Sequence, residues 1–307
     1  MAVFVMQSLG CEVAALNTVQ FSNHTGYRQF KGSKTSAKEI SDIYEGLKEN
    51  FLDDFDVMLS GYIPGAEAVK AVGKIAEDLR LLDPVMGDEG KLYVNEDVVP
   101  AYKGLLRMAD MILPNQFEAE LLSGVKVDSI DALRSVIMIL HAKYHIPHIV
   151  VTSLSLPGNP GTLAVVGSTT RSDGSPRLFK VDIPTIDCFF SGTGDMFAAL
   201  TVVRFREAAA TGGLCGTKAW VSGDEVEAVR LPLAKAVERV LASMHAVLVK
   251  TKEARDKQLS GIEGVLAGKS KKVQHLRTTK ATEVQLVRNL QALREPKAEF
   301  FAQVLEG

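Results

Sequence analysis

Phe189-Phe-Ser-Gly-Thr-Gly-Asp-Met-Phe-Ala-Ala199 decides how this chain is read. Two glycines flanking Thr193 free backbone N–H groups to face an anion. The apolar run after Gly194 predicts a helix to about Arg206, whose N-terminal dipole adds positive potential at that spot. A carboxylate there, Asp195, would repel a phosphate. It makes chemical sense as the acceptor of a proton from an attacking hydroxyl, with the amides stabilising the phosphoryl group in transit. Taken alone, the stretch reads equally well as a glycine turn with an Asp at a helix start.

Two further constellations accompany it. Asp83-Pro-Val-Met-Gly-Asp88 sets two carboxylates on a tight loop, a spacing that suits one near a triphosphate and one reaching Mg²⁺ through water. Leu113-Pro-Asn-Gln-Phe-Glu-Ala-Glu120 lies where a strand ends and a helix opens, the place where ligands collect in open α/β sheets. Asn115 and Glu118 can reach metal and phosphates from that first turn. They also fit a capping box, and the two readings are compatible.

Outward from these motifs, short apolar runs alternate with helical periodicity, which predicts an α/β fold with a mainly parallel central sheet flanked by helices. Expected strands are Cys11–Leu16, Asp56–Leu59, Met111–Leu113 and His148–Thr152, with an antiparallel pair Gly161–Val166 and Leu178–Ile183. Expected helices are Ala66–Leu79, Gln116–Leu122 closed by Gly124, Asp128–Tyr144 capped by Asp128 or Ser129, and a long helix from Pro232 to about Thr251. Ala208–Gly223 reads as a mobile surface loop and Lys269–Lys280 as a solvated linker. Residues 1–307 read as one domain.

Composition bounds the function. The 307 residues are 46% hydrophobic with a formal net charge of −2, enough for a large core and no electrostatic reason to expect nucleic acid or a membrane surface as partner. No apolar run approaches the ~20 residues of a membrane span. The three cysteines, Cys11, Cys188 and Cys215, are too scattered for a disulfide or zinc framework, so a cytoplasmic setting is expected. His141, His145 and His148 are spaced to tempt a metal reading; no carboxylate or cysteine completes the set, and they are read as structural. No Gly-x4-Gly-Lys-Ser/Thr run occurs, which disfavours a P-loop kinase.

In this order, the Asp83–Asp88 loop, the Pro114–Glu118 helix start and the Gly192–Asp195 turn resemble the pyridoxal kinases of the ribokinase-like superfamily. Phe21-Ser-Asn-His-Thr-Gly-Tyr27 sharpens the resemblance, which covers about Phe4–Val249 and weakly Leu286–Pro296. The resemblance implies ATP-dependent phosphorylation of the 5′-hydroxymethyl of pyridoxal, pyridoxine or pyridoxamine, with Asp195 as base and Gly192, Thr193 and Gly194 as the anion hole. It implies nucleotide contacts from Asp83, Asn115, Glu118, Thr152, Ser153, Thr193 and the Ile186-Asp187-Cys188 stretch. Substrate contacts would come from Val19, His24, Thr25, Tyr62, Gly194 and Asp195. Mg²⁺, or Zn²⁺ in its place, would be served by Asp88 and Glu118.

A small β lid at Phe21–Ser33 and a homodimer are implied as well. Leu113 departs from the family, which has Thr at a site for K⁺ or Na⁺. The chain also starts inside the helix ending near Leu9–Gly10, so the family's first strand and its substrate-contacting Ser are expected to be missing. Of a second inner strand only Leu81–Leu82 can remain. The rival readings are a hydroxymethylpyrimidine kinase and, given the missing strands, a non-catalytic vitamin B6 or nucleotide-binding protein.

Overall fold

Neighbouring residues along each core strand face opposite ways, and here they drop into two separate apolar clusters. Ile112, Ile149, Val151, Ala164 and Val166 enter one cluster. Met111, Leu113, Val150, Val165 and Phe179 enter the other. The fold is therefore three layers, helix, sheet and helix, with a core on each face of the sheet. The computed structural model describes residues 1–76, 81–82, 84–88, 90–155, 161–261 and 268–305.

In chain order the elements are α1 (Ala2–Ser8), β1 (Val19–Phe21), β2 (Gly32–Lys34), α2 (Ala37–Glu49), α3 (Ala66–Ala76), β3 (Leu81–Leu82), β4 (Gly87–Asp88) and β5 (Lys91–Leu92). There follow α4 (Val98–Leu105), β6 (Met111–Ile112), α5 (Gln116–Ser123), α6 (Ile130–Tyr144), β7 (His148–Leu154), β8 (Thr162–Thr170) and β9 (Pro176–Pro184). The chain closes with α7 (Thr193–Thr211), α8 (Pro232–Ser260), α9 (Lys271–Ala281), α10 (Leu290–Arg294) and β10 (Gln303–Val304). Helices α3 to α6 cover the first face through Val69, Tyr102, Leu122 and Ile137. Helices α1, α7, α8 and α10 cover the second through Val5, Leu200, Val237 and Leu293.

The main sheet has the order β10-β9-β8-β7-β6-β3. Leu81 pairs in parallel with Met111, and Met111 with His148. The ladders from β7 to β10 are antiparallel. The sheet is thus mixed rather than mainly parallel among the described residues, because the long β8–β9 hairpin dominates one half. Its turn, Arg171–Ser175, is tighter than expected, with Arg171 N–H donating to Ser175 O at 2.8 Å.

Two expected strands do not form. Cys11–Leu16 and Asp56–Leu59 lack strand pairing among the described residues, where the main sheet stops at β3. In Asp56–Leu59 the side chains still alternate as a strand requires: Val57 and Leu59 pack into the second cluster and Met58 into the first. Packing alone sets that alternation. Helix α3 is described to Ala76, so Glu77–Leu79 of the expected helix lie outside the described residues.

Two segments read as loops are structured. Lys271–Ala281 is a helix, capped by Ser270 accepting from Val273 N–H, although its sequence is polar almost all round. Ala208–Gly223 begins with the last turn of α7, and its remainder is fastened to the sheet. His148 Nε2 donates to Ala219 O at 2.7 Å, Trp220 packs edge-on against Phe205, and buried Arg177 donates to Ser222 O and Gly223 O.

His141 and His148 are structural. A carbonyl can only accept, so His141 Nδ1–H donates to Ile146 O at 2.6 Å and Nε2 accepts from Ser168 at 2.8 Å. His148 is bonded likewise between Ala219 O and Thr169 Oγ1, and both rings are neutral imidazoles. Burial pushes each down to about 4. Such a group takes up a proton on unfolding below about 6.5, so stability held at neutral pH is lost as pH falls from there toward 4. From pH 7 to pH 5 each costs about 2 kcal/mol. Glu118, raised to about 7, acts in the opposite direction over the same range. His141→Gln should flatten the loss of stability between pH 7 and 5 by about that one-histidine amount, read from urea unfolding at both pH values.

Candidate active site

Strands β6, β7 and β9 all end at the same edge of the sheet, and the loops that leave them build the site. At the end of β6, Asn115 caps α5: its Oδ1 accepts from Glu118 N–H at 2.9 Å and Glu118 Oε2 accepts from Asn115 N–H at 3.0 Å. Gly124 closes this helix in the left-handed region, as its position predicts. The capping box is real, and the same two side chains reach further. Glu118 Oε1 accepts from Met86 N–H at 2.7 Å and Gly87 N–H at 3.2 Å, while Asn115 Nδ2 donates to Gly87 O at 2.7 Å.

The Met86–Asp88 loop is thereby clamped onto the start of α5. Asp88 sits on the β4–β5 hairpin, close enough for its charge to be felt at Glu118. Burial, opposed by the three amide donors and reinforced by Asp88, raises Glu118 to about 7. Two neighbouring carboxylates of like charge can share a cation between them. Asp83 lies outside the described residues.

At the end of β7, Thr152 forms a parallel bridge with Asn115, its N–H donating to Pro114 O at 2.9 Å. Ser153 follows at φ 56°, left-handed for a non-glycine, where the ladder to β8 shifts register. Asn115, Glu118, Asp88, Thr152 and Ser153 are thus brought together. After β9, Cys188 N–H turns back to Ile186 O at 2.7 Å. The Cys188 thiol is pushed up by burial and feels Arg255, Asp256 and Lys252, so the Ile186–Cys188 loop lies against the far turns of α8. Leu113 is buried in the apolar core and offers no side-chain oxygen there.

Gly192 heads α7 at φ 81°, a conformation that favours glycine, and a Cβ there would come within 2.8 Å of Met1 Cε. Met196 N–H is the first to close a helical turn, onto Gly192 O, which leaves the amides of residues 193–195 pointing out of the helix start. Asp195 stands among them. The surrounding protein raises its carboxyl above the ordinary range, and the positive amino terminus partly opposes this. Gly61 approaches it so closely that a Cβ would lie 3.7 Å from Asp195 Oδ1. Tyr62 follows Gly61 in the chain, its carbonyl accepting from Thr18 Oγ1 at 2.7 Å.

Thr18 leads directly into the β1–β2 hairpin, with Val19 on β1 and Thr25 opening a short 3₁₀ turn, Thr25–Tyr27. Gly32 sits at φ 144°, where a Cβ would be 1.8 Å from Gln20 O, so the hairpin admits no side chain at that point. His24 Nε2 lies 3.4 Å from Glu283 Oε1, and its Nδ1 is buried without a hydrogen-bond partner. Glu283 was not anticipated from the sequence. A lone glutamate after a polar helix carries no motif, and only the fold brings it to the hairpin.

The family model described as phosphomethylpyrimidine kinase matches residues 5–210. Pyridoxal kinase of Arabidopsis thaliana is 33% identical over 98% of this chain and 88% of its own length. Human pyridoxal kinase is 40% identical over 65% of this chain and 70% of its own length. Among solved structures, Leishmania donovani pyridoxal kinase in complex with ADP and pyridoxamine superposes with a TM-score of 0.78 at 28% identity, covering 99% of this chain and 93% of that one. The same enzyme is also similar in its complex with ADP and pyridoxine, at a TM-score of 0.77 and 27% identity. With the anion-facing turn and its carboxylate already in place at the head of α7, these similarities settle the lineage: the chain belongs to the pyridoxal kinase family of the ribokinase-like superfamily and is a phosphotransferase.

Proposed function

We propose that this chain transfers the γ-phosphoryl group of ATP to the 5′-hydroxymethyl of pyridoxal, and of pyridoxine and pyridoxamine, with Asp195 as the base. The observation that carries the reading is the carboxylate itself, set among outward-facing amides at the head of a 19-residue helix. A protein that only bound phosphate would gain nothing from a negative charge there. As a proton acceptor, Asp195 takes the hydroxyl proton as the oxygen attacks. The amides of Gly192, Thr193 and Gly194 then face the charge developing on the phosphoryl oxygens. Its raised pKa suits that task.

The nucleotide is assigned to Asp83, Asn115, Glu118, Thr152, Ser153, Thr193 and Ile186–Cys188, and the vitamer to Val19, His24, Thr25, Tyr62, Gly194 and Asp195. Asp88 and Glu118 supply hard oxygen donors, which suit Mg²⁺ better than Zn²⁺. The three amide bonds that Glu118 already accepts favour Asp88 as the principal ligand, with Glu118 acting through water. Bound Mg²⁺ would neutralise charge on the transferred phosphates. With Leu113 buried, any K⁺ or Na⁺ would rely on backbone carbonyls. A homodimer through the lid hairpin is supported by exposed Phe30, whose ring lies tilted against Phe21 at 4.6 Å between centroids. A cytoplasmic setting is supported by the free state of all three cysteines. No helix among the described residues is long and apolar enough to cross a membrane.

Incubation with ATP, Mg²⁺ and pyridoxal should yield pyridoxal 5′-phosphate, and Asp195→Asn should lower kcat by about 10²–10⁴-fold with pyridoxal binding retained. Turnover unaffected by the substitution would remove Asp195 from the reaction. Preference for a hydroxymethylpyrimidine in a parallel assay would favour the activity after which the family model is named, and vitamer binding without turnover a non-catalytic protein. The acid limb of the kcat/KM profile should lie above the usual carboxylate value of about 4, as the direction of the Asp195 shift requires. Glu118→Ala should cost about 2–4 kcal/mol in urea unfolding, because buried amides lose their acceptor.

A further inference from the structure

We infer that Glu283 is a positioning residue for the vitamer, holding the His24–Tyr27 turn closed from the far end of the chain; this rests on the substrate reading above. The turn is braced by bonds within its own hairpin. Asn23 Nδ2 ties it to Gln29 O at 2.8 Å, and Ser22 N–H reaches Lys31 O at 2.8 Å. Both bonds lie within the hairpin, so they shape the turn without fixing where it points.

Its direction is set from outside. Tyr27 Oη donates to Glu283 Oε1 at 2.8 Å, and the same oxygen lies 3.4 Å from His24 Nε2. His275, on α9, places its Nε2 3.2 Å from Gly26 O. The His24 and Tyr27 rings lean together at 4.7 Å, so a pull on either moves both. Thr25, assigned to the vitamer, lies between them. Burial first, then the bond to Glu283, pushes the Tyr27 hydroxyl up to about 12, so it remains a donor at any physiological pH.

A tether must itself be anchored, and this one is. Glu283 follows the end of α9, where Ala281 and Thr282 are buried. Gln285 N–H donates to Thr251 Oγ1 at 3.2 Å, and that threonine is buried in α8 against the sheet. One carboxylate thus connects the turn to the rigid second layer. No residue of this tether was assigned to nucleotide, so its loss should be felt by the vitamer alone.

The test compares wild type with Glu283→Ala, Glu283→Gln, Tyr27→Phe and the double variant Glu283→Ala/Tyr27→Phe. Glu283→Ala and Tyr27→Phe should each raise KM for pyridoxal by about tenfold, the worth of one charge-assisted hydrogen bond, and leave KM for ATP unchanged. The double variant should be no worse than either single one, since both cut the same link. Glu283→Gln keeps an acceptor oxygen and should recover most of the affinity. Amide hydrogen exchange over Ser22–Gln29 should quicken in Glu283→Ala while α8 and the β7–β9 ladders keep wild-type rates. Unchanged KM for pyridoxal, an equal rise in KM for ATP, or additive effects in the double variant would overturn the inference. If wild type phosphorylates no vitamer, the substrate reading fails instead; unchanged exchange over Ser22–Gln29 then overturns the tether on its own.

Discussion

Burying the Glu118 carboxylate is the constraint on which the site depends. A charge removed from water needs donors, and this one finds them in the backbone of two segments distant in sequence, Met86–Gly87 and Asn115. The exchange works in both directions. The loop amides gain the acceptor that a tight turn denies them, and the helix start gains its cap. Because the loop carries Asp88 and the cap leads into the bridge with Thr152, one side chain sets the spacing between the Asp88 and Thr152 sides of the site.

The Asp195 side of the site follows a different logic. Nothing bonds its carboxylate among the hydrogen bonds of the described residues, and surrounding protein raises its pKa. Glu118 is held; Asp195 is left available. A structural carboxylate has its lone pairs filled by amides, whereas a base needs them open toward the substrate. On the reaction proposed above, the two acids on one rim of the sheet would divide those tasks.

Much of this was legible in the sequence, because the features concerned are local. The Gly192–Asp195 turn, the Asn115 cap and the Gly124 stop each depend on a few consecutive residues. Asp56–Leu59 was expected as a strand and shows the alternation of Val57, Met58 and Leu59 without a ladder, since alternation reports packing while a ladder needs a neighbour. Helix α9 was missed because a helix polar on almost every face shows no apolar stripe. Glu283 could not be seen at all: its partner Tyr27 lies 256 residues away, and pairing at that range is a product of the whole topology.

Among the described residues the sheet ends on one side at β3, which pairs with β6 through Leu81 and Leu82. A longer flat edge would offer its unpaired amides and carbonyls to a strand from another molecule and invite stacking into aggregates. Over the described residues the β3 edge is two residues long, too short a register to recruit one. Brevity does here what charges and prolines do at other sheet margins, and it leaves the parallel half of the sheet without a template for growth.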